Sequence, residues 1–360
     1  MEFTRLFAYL LFFAITAVFS ILLNGLFLKF SKSLGIRHVN DTILRWSPES
    51  KPSLGGISFY VIFLLSITSY SLFFGNSAIL GNNDFLGMVA SCTIAFLMGL
   101  ADDAYNTKPL LKFLAQVLCA LILILSGISI HVFSMSWANY VLTILWVVGM
   151  MNSINMLDNM DSITTTVSIT VIIAALLIIS LNHNFSTNVH VLLLFGIMGA
   201  LVGFLYYNWH PSKLFMGDTG SQFLGIFLAS IGVLYFWNSE DSSGNLVQSK
   251  QFFVTILTFI IPICDTTIVV INRLLRGQSP FVGGKDHTTH HLSYLGLGDK
   301  QVSIIFAALS FISMLCTVFI TYYITNWGYI HIAIFGSYFL LIFGLLFYIT
   351  KTTKPKTKDA

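Results

Sequence analysis

Apolar segments of about 20 residues recur along the whole chain, and each is long enough to cross a lipid bilayer as a helix. They dominate a 360-residue chain in which 56% of the residues are apolar and only 9% are charged. A soluble domain of this size does not have such a composition. We therefore predict an all-α, polytopic integral membrane protein in which residues 1–360 form one transmembrane domain. About eleven spans are predicted, at 6–28, 54–74, 84–101, 109–127, 139–157, 162–181, 189–207, 220–237, 251–273, 301–325 and 329–350.

The connections between these segments alternate between the two sides of the membrane, and the basic residues are concentrated on one of them. Of the 18 Lys and Arg residues, all but Arg5 and Lys250 fall on this side. Because positively charged loops are retained in the cytoplasm, we predict that this side is cytoplasmic. The N-terminus is then outside and the C-terminus inside.

A row of four polar residues at a spacing of three ends the fifth segment and enters the turn that follows. The residues are Asn152, Asn155, Asp158 and Asp161. On an α-helix successive members are rotated by about 60°, so they fan over one side and can converge on one ligand. A polar group without a partner in hydrocarbon costs several kcal/mol. The row is therefore either a polar helix end in water or a binding site, and we favour the site.

The pair Asp102-Asp103 closes the third segment, and Lys108 follows it. Adjacent carboxylates repel each other, and near a membrane one of them has a raised pKa unless a cation lies close. Such a pair suits a hard divalent ion such as Mg²⁺, or a base beside one. The alternative is that the two charges only mark the end of a helix at the interface.

The segment Phe215–Ser221 precedes the eighth span and contains two glycines around Asp218. Glycines let the backbone approach a ligand, Thr219 or Ser221 can cap the helix that follows, and the free N–H groups at its start favour an anion such as phosphate. Asp218 would repel a bare phosphate, so its presence indicates a metal ion between the two. An ordinary capped helix start is the alternative.

The loop 274–300 carries a basic and imidazole-rich group, Lys285, His287, His290 and His291. Its spacing does not match a structural zinc site, because no Cys or fourth ligand is near. We expect these histidines to donate hydrogen bonds to a diphosphate; a solvated polar loop is the alternative. Asp265 lies within the ninth segment on nearly the same face as Arg273. A carboxylate inside the membrane is a functional candidate, and a structural pairing is equally open.

Two adjacent glycines, Gly55 and Gly56, open the second segment and permit close approach of either another helix or a substrate. With the groups above, they come from connections on the one predicted cytoplasmic side. Carboxylates, glycine turns, histidines and lysines at one surface indicate a metal-assisted site for a phosphorylated substrate. The surrounding hydrocarbon indicates that the second substrate is a lipid. We predict an active site built from the cytoplasmic loops 29–53, 102–108, 152–163, 208–221 and 274–300.

Taken together, and in the order in which they follow one another along the chain, these motifs resemble those of the polyprenyl-phosphate N-acetylhexosamine-1-phosphate transferases. The resemblance covers roughly residues 52–292 and includes the Asn/Asp row, the Asp pair, the Gly-Asp segment and the His loop. It implies transfer of an N-acetylhexosamine-1-phosphate from a UDP-sugar to undecaprenyl phosphate, with Mg²⁺ (or Mn²⁺) as cofactor and release of UMP. It also implies a bacterial inner-membrane location and a role at the start of a lipid-linked cell-envelope polysaccharide, such as lipopolysaccharide or cell-wall polymers.

By the same resemblance, particular residues are given roles. Asp218 is the expected Mg²⁺ ligand, and Asp102 and Asp103 assist the metal or the lipid phosphate, one of them as a base. Nucleotide, sugar and diphosphate are expected to contact Asn152, Asn155, Asp158, Asp161, Lys108, Gly55, Gly56, Lys285, His287, His290 and His291. The expected partners are the UDP-sugar, the lipid phosphate, the bilayer and, as one option, a second copy of the chain, but no nucleic acid.

The sequence departs from the family pattern at two motifs. The row of the family reads Asp-Gly-x-Asp-Gly, whereas Asn159 and Ser162 stand at the glycine positions here. The His-Thr-Thr-His-His segment also differs from the contiguous histidines of the MraY-type pentapeptide translocases, so we favour the aminosugar branch and UDP-GlcNAc. The pentapeptide translocase is one alternative, and a membrane transporter is another from a different class.

Overall fold

The computed structural model describes residues 2–31, 51–74, 81–181, 185, 188–240, 244, 246–280 and 283–353. The regular secondary structure of these residues is helical, with loops between the helices and no β-strand. Most of loop 29–53, two residues of loop 274–300 and the end of the basic tail lie outside it. The helices are α1 (Glu2–Phe30), α2 (Gly55–Phe74), α3 (Asn83–Tyr105), α4 (Pro109–Leu125), α5 (Ser136–Leu157), α6 (Ile163–Leu181), α7 (Val189–Asn208), α8 (Gly217–Gly232), α9 (Gln248–Thr258), α10 (Ile260–Leu275), α11 (Thr288–Tyr294), α12 (Asp299–Tyr323) and α13 (Tyr329–Thr352).

Nine helices of the described residues are long and apolar enough to cross a membrane, or ten if the bent pair α9–α10 is one span. Each of the eleven predicted segments coincides with one of these helices, with the bent pair, or with the shorter helix α4. The prediction of an all-α, polytopic membrane protein is confirmed. The number of spans and the orientation of the termini stay predictions.

The ninth predicted segment was expected to be a single helix, and this is wrong. The chain bends by 83° between α9 and α10, with Phe259 as the residue at the break. Pro262 lies in the first turn of α10 and has no N–H, so the carbonyl of Thr258 loses its helical partner there. One short helix therefore leads to the break, and a second, α10, leads to the His loop.

Helix α8 continues as a π-helix over Val233–Trp237. Together they are the most buried of the candidate spans, with 89% of their most apolar 18 residues inside the bundle, so α8 lies at its centre. It packs against α2, α3 and α5, and two glycines allow the closest of these approaches. A Cβ at Gly99 of α3 would overlap the carbonyl oxygen of Asp218, and one at Gly56 of α2 would overlap the backbone nitrogen of Gly220. The N-terminus of α8 is thereby held between the C-terminal end of α3 and the N-terminal end of α2.

The described loops lie at two ends of the bundle. Loops 106–108, 158–162, 209–216, 276–280 and 283–287 gather at one end, which we call the site end. Loops such as 126–135 and 324–328 lie at the opposite end, where Lys250 donates to the carbonyl of Ile324. The motifs singled out in the sequence all lie at the site end, because alternate connections of antiparallel helices return to the same side.

Candidate functional site

The pair Asp102-Asp103 ends α3, but its two carboxylates point to different partners. Asp103 accepts hydrogen bonds from the backbone nitrogens of Asp218 (3.0 Å) and Thr219 (2.8 Å), and from Thr219 Oγ1 (2.6 Å). A carboxylate at this place satisfies N–H groups at the start of α8 and interacts favourably with its dipole. Phosphate was expected at this helix start; the anion that occupies these N–H groups is Asp103. Thr219 was expected as a possible helix cap, and its hydroxyl donates to Asp103 instead.

The second carboxylate, Asp102, faces a lysine that we did not single out in the sequence. Lys112, in the first turn of α4, places its Nζ 3.0 Å from Asp102 Oδ2 and also bonds Asp218 Oδ2. Asp102 Oδ1 accepts from the backbone nitrogen of Thr107 at 2.9 Å. One ammonium therefore joins carboxylates from α3 and α8. The expected repulsion within the Asp pair is offset, because each carboxylate has its own positively charged or N–H partner.

Lys108, which follows the Asp pair in the sequence and was expected to contact substrate, is exposed. In the described residues it forms no ion pair, and its backbone carbonyl begins α4 by accepting from Leu111 and Lys112. Lys112 could have been found by a simple signal: it is the only charged residue in the apolar helix Pro109–Leu125. An ionisable group inside a membrane helix is a functional candidate.

Asn155 completes this centre from α5. Its Nδ2 donates to Asp218 Oδ1 and to Ser221 Oγ, both at 2.8 Å. Asp218 thus lies between an amide and an ammonium, on a helix start where Gly217 has a φ of 70°. A side chain at Gly217 would also lie 2.6 Å from Asp103 Oδ2, so this position needs glycine. We call Asp102, Lys112, Asn155 and Asp218 the carboxylate centre.

The rest of the polar row does not turn toward this centre. Asn152 bonds Gln116 of α4 at 2.8 Å, one turn deeper in the bundle. Asp158 is the C-cap residue of α5. Asp161 accepts hydrogen bonds from Ser212 Oγ (2.7 Å), from the Ser212 nitrogen (3.0 Å) and from His210 Nδ1 (3.0 Å). The row was expected to converge on one ligand, but the helix ends at Leu157, and beyond it the side chains take other directions.

The two positions where this chain lacks the family glycines have specific contacts. Ser162 has a φ of 64°, in the left-handed region that favours glycine, and its nitrogen donates to Asn208 Oδ1 at 3.1 Å. The Oδ1 of Asn159 accepts from Thr289 Oγ1 at 2.7 Å. The glycine-like backbone is therefore retained at Ser162 despite the side chain. Asn159 joins the row to the His loop.

The His loop is fixed to α10 at two levels. Asp265, fully buried, accepts from Thr288 Oγ1 (2.6 Å) and the Thr288 nitrogen (2.9 Å) and pairs with His287 Nδ1 (2.8 Å). Nearer the end of α10, Arg273 forms a two-pronged pair with Asp286 at 2.7 and 3.0 Å. Burial alone would raise the pKa of Asp286, but Arg273 holds it below its usual value. Asp265 therefore pairs with His287 and Thr288 and not with Arg273, whose guanidinium binds Asp286; a functional role of Asp265 stays a prediction.

The three histidines of the loop are all buried and use their Nδ1 atoms within the protein. His290 Nδ1 accepts from the His287 nitrogen at 3.4 Å, and His291 Nδ1 lies 2.6 Å from Thr353 Oγ1. Burial, followed by the charge of His287, lowers the pKa of His290 to about 3. His290 is therefore neutral near pH 7, and with Nδ1 as an acceptor its proton is on Nε2. Lys285 contributes its carbonyl to Tyr294 Oη at 2.9 Å.

The two opening glycines of α2 contact the protein itself. The Gly55 and Gly56 nitrogens donate to the carbonyls of Phe215 and Met216, both at 3.0 Å, and both glycines are buried. Of the two expectations, close approach of another segment is what the structure shows. Contact of these glycines with substrate stays a prediction, as do the direct substrate contacts of Lys108, the polar row and the His loop.

The carboxylate centre has a donor set that suits magnesium. Asp102 and Asp218 direct one oxygen each to the same cationic group, the Lys112 ammonium. Mg²⁺ binds through one or two carboxylates and completes its shell with water and substrate phosphates. The described residues contain no group of three His, Cys, Asp or Glu side chains placed to hold a metal by themselves. The residues therefore fit an ion that a phosphorylated substrate helps to bind.

Fold and site together define a polytopic membrane protein with a carboxylate-rich polar centre at one end of its helix bundle. The family described as Glycosyl transferase family 4 matches residues 85–236, which include the Asp pair, the polar row and the Gly-Asp segment. A probable undecaprenyl-phosphate N-acetylglucosaminyl 1-phosphate transferase of Bacillus subtilis is 27% identical over 325 residues, 85% of this chain and 80% of the relative.

Two further relatives belong to the same group of enzymes. A phospho-N-acetylmuramoyl-pentapeptide-transferase of Staphylococcus aureus is 30% identical over 297 residues, 75% of this chain and 84% of the relative. A decaprenyl-phosphate N-acetylglucosaminephosphotransferase of Mycobacterium leprae is 24% identical over 245 residues, 61% of this chain and 60% of the relative. The chain belongs to the family of polyprenyl-phosphate hexosamine-1-phosphate transferases. The resemblance drawn from the motifs is confirmed, and with it the expectation of a transferase enzyme.

Proposed function

We propose that this protein transfers GlcNAc-1-phosphate from UDP-GlcNAc to undecaprenyl phosphate on the cytoplasmic face of the bacterial inner membrane. The product starts a lipid-linked cell-envelope polysaccharide, and UMP is released. The observation that carries the proposal is the carboxylate centre, where two carboxylates, an ammonium and an amide from four helices meet at the site end of the bundle. Such a centre can bind phosphates and a lipid-anchored acceptor at the same level of the bilayer.

The reaction forms one phosphorus–oxygen bond and breaks another. An oxygen of the lipid phosphate attacks the phosphorus that bears the sugar, and the bond from that phosphorus to the oxygen of UMP breaks. Asp102 and Asp218 would hold Mg²⁺, which when bound neutralises charge on the phosphates. Lys112, between the same two carboxylates, can contribute a second positive charge to the phosphates, and Asn155 holds Asp218 in place by its hydrogen bond.

The His loop provides hydrogen-bond donors for the diphosphate. A neutral His290 with its proton on Nε2 donates without bringing a full charge, and Asp265 orients His287 through Nδ1. Thr288 and Thr289, which separate the histidines, are used to fix the loop to Asp265 and to Asn159. These contacts support a loop built differently from a contiguous His motif, and hence the aminosugar branch over the pentapeptide translocase.

The transporter alternative loses its main support in this structure. Carriers place their charges near the middle of the membrane, and of the candidate site carboxylates only Asp265 lies within a predicted segment. Asp265 is satisfied by His287 and Thr288 of the site-end loop. The pentapeptide translocase keeps one specific observation in its favour, the 30% identity to the enzyme from Staphylococcus aureus. A panel of donors separates the two: UDP-GlcNAc, other UDP-hexosamines and UDP-MurNAc-pentapeptide, each offered to purified protein with undecaprenyl phosphate and Mg²⁺.

The test of the carboxylate centre uses the substitution Asp218→Asn. We expect it to lower turnover of radiolabelled UDP-GlcNAc to labelled lipid by at least about 10²-fold, while the protein remains folded. Asp84→Asn is the matched control, because Asp84 is a carboxylate in the first turn of α3, at the opposite end of the bundle. Near-normal transfer by Asp218→Asn contradicts the assignment, and no labelled lipid from any UDP-hexosamine contradicts the proposed function.

A further inference from the structure

Three amides, two of them buried and that of Asn152 half-buried, lie one helical turn beneath the carboxylate centre. Gln116, Asn152 and Gln222 come from α4, α5 and α8, the same three helices that carry Lys112, Asn155 and Asp218. Each amide is three or four residues from the functional residue of its own helix, on the side away from the loops. A turn of α-helix rises about 5.4 Å, so the amides form a second level deeper in the bundle. We call them the amide layer.

The amides of this layer are hydrogen-bonded to one another. Asn152 Nδ2 donates to Gln116 Oε1 at 2.8 Å, and Gln116 Nε2 donates to Asn152 Oδ1 at 3.3 Å and to Gln222 Oε1 at 3.1 Å. Gln116 is 1% exposed and Gln222 is fully buried. Within the described part of the chain, Gln222 Nε2 has no hydrogen-bond partner. Direct bonds therefore connect α4 to α5 and to α8 inside the apolar region.

Helix α4 packs on α3, where Ser91 Oγ donates to the carbonyl of Cys119 at 3.1 Å, but the apolar face that it buries is small. Of its 17 residues only Gln116, Cys119, Ala120 and Leu123 are buried. Its large side chains face outward, including Leu110, Leu111, Phe113, Leu114, Leu118, Leu121 and Leu125. Lipid solvates a leucine about as well as protein does, so burial of leucine gives little preference for one rotation in a membrane. A directional hydrogen bond does give such a preference.

We propose that the amide layer is a positioning device that sets the rotation and depth of α4, and thereby holds Lys112 between Asp102 and Asp218. Gln116 and Gln222 are its positioning residues; they act through Lys112 and Asp218 and do not contact substrate. The inference deepens the proposed function and rests on it for its kinetic test. Stability alone does not call for three amides here, because methionine of similar length would fill the same space, and interhelical hydrogen bonds in membranes contribute modestly on average.

The experiment compares Gln116→Met and Gln222→Met with Gln251→Met. Gln251 is a matched control: it is fully buried, and its Nε2 donates to the carbonyls of Trp237 and His131 at the opposite end of the bundle. We expect all three variants to fold with similar melting temperatures in detergent. For Gln116→Met and Gln222→Met, kcat falls by about 10- to 100-fold, and KM for UDP-GlcNAc stays within about threefold. The control retains both constants.

A second measurement does not need turnover. In the native protein the Lys112 amine is held by two carboxylates and its side chain is 17% exposed, so it should react slowly with an amine reagent such as acetic anhydride. Loss of the layer lets α4 rotate, and mass spectrometry should show Lys112 labelled several-fold faster in Gln116→Met than in the native protein or Gln251→Met.

The outcomes separate the two proposals. If native protein transfers GlcNAc-1-phosphate but Gln116→Met retains its kcat, or Gln251→Met loses as much, the amide layer has no positioning role. Equal labelling of Lys112 in all three proteins contradicts it as well, whether or not the protein is active. If native protein makes no lipid product while the labelling rates differ as expected, the proposed function fails and the amide layer stands.

Discussion

The substitution Lys112→Met tests the charge balance of the carboxylate centre. It removes the ammonium that joins Asp102 and Asp218 and leaves a side chain of similar length, so two carboxylates face each other without their shared cation. We expect the loss of stability to be large for the substitution of a single lysine near the protein surface. The damage to turnover should be larger, because the same ammonium is available to the phosphates in the proposed reaction.

The size of the effect follows from the geometry. Two unit charges at the 3.0 Å between Lys112 Nζ and Asp102 Oδ2 attract by about 5 kcal/mol at an effective dielectric constant of about 20. Desolvation offsets part of this attraction, but removing one partner of a buried pair leaves the other charge uncompensated, at about 3–5 kcal/mol. Because the lysine side chain is 17% exposed, we take the lower end, about 3 kcal/mol, which corresponds to roughly 6 °C in Tm for a large domain.

The assay is thermal unfolding of purified protein in detergent, combined with transfer of radiolabelled GlcNAc-1-phosphate. Lys108→Met is the control for stability, because Lys108 is exposed and lies next to the same helix start. The decisive variant is Lys112→Met with Asp102→Asn, which removes one of the two uncompensated charges. It should regain about 1–2 kcal/mol of stability by non-additivity, while turnover stays lost.

The charge argument also predicts the response to divalent cations. With its ammonium removed, the pair Asp102 and Asp218 should bind a divalent cation more tightly, so MgCl₂ should raise the Tm of Lys112→Met more than that of native protein. A native Tm together with native turnover in Lys112→Met would refute the reasoning. So would strictly additive effects of the Lys112 and Asp102 substitutions.

Three further predictions concern the parts around the centre. Ser162→Gly should stabilise the protein by about 1 kcal/mol, read as a rise of a few degrees in Tm, because it relieves a φ of 64° and removes a hydroxyl without a partner in the described residues; an unchanged or lower Tm would contradict this. Arg273→Met should lower stability by about 3 kcal/mol, the lower end for a broken buried pair because Arg276 still contacts Asp286, and Arg276→Met, which leaves the two-pronged contact, should have the smaller effect on Tm. Burial and the charge of His287 lower the pKa of His290 to about 3. The contribution of the neutral His290 to stability is therefore complete above about pH 6.5 and is lost as the pH falls toward 3, by about 2 kcal/mol at pH 5. Between pH 7.5 and pH 5 the Tm of the native protein should fall more steeply than that of His290→Gln, and equal slopes would argue against a buried neutral imidazole.

Much of this architecture could be predicted from local pattern alone. A run of about 20 apolar residues forms a membrane helix because no other structure satisfies its backbone in hydrocarbon. Once the helices were counted, antiparallel connection placed the Asp pair, the polar row, the Gly-Asp segment and the His loop at one end. The bend at Phe259 is not visible in hydropathy, because Pro262 removes a backbone donor from a run that is otherwise continuously apolar.

The partners of the site residues were decided by the tertiary structure. Lys112 and Lys108 have the same chemistry and lie four residues apart, yet only Lys112 reaches the carboxylates, because the rotation of α4 against α3 and α8 selects it. The same holds for Asp103, whose oxygens are taken by the start of α8, and for Asp161, which turns to Ser212 and His210.

What the sequence by itself determined is the class of protein, the positions of its helices and the end of the bundle where its acids, amides and histidines collect, since these depend on hydrophobicity along a single chain segment. What only the tertiary structure decided is which of these groups touch. Such contacts join residues about a hundred positions apart, as in Lys112 and Asp218. They depend on the relative rotation and depth of the helices. The sequence does not determine this rotation and depth, because apolar side chains are solvated about equally well by lipid and by protein.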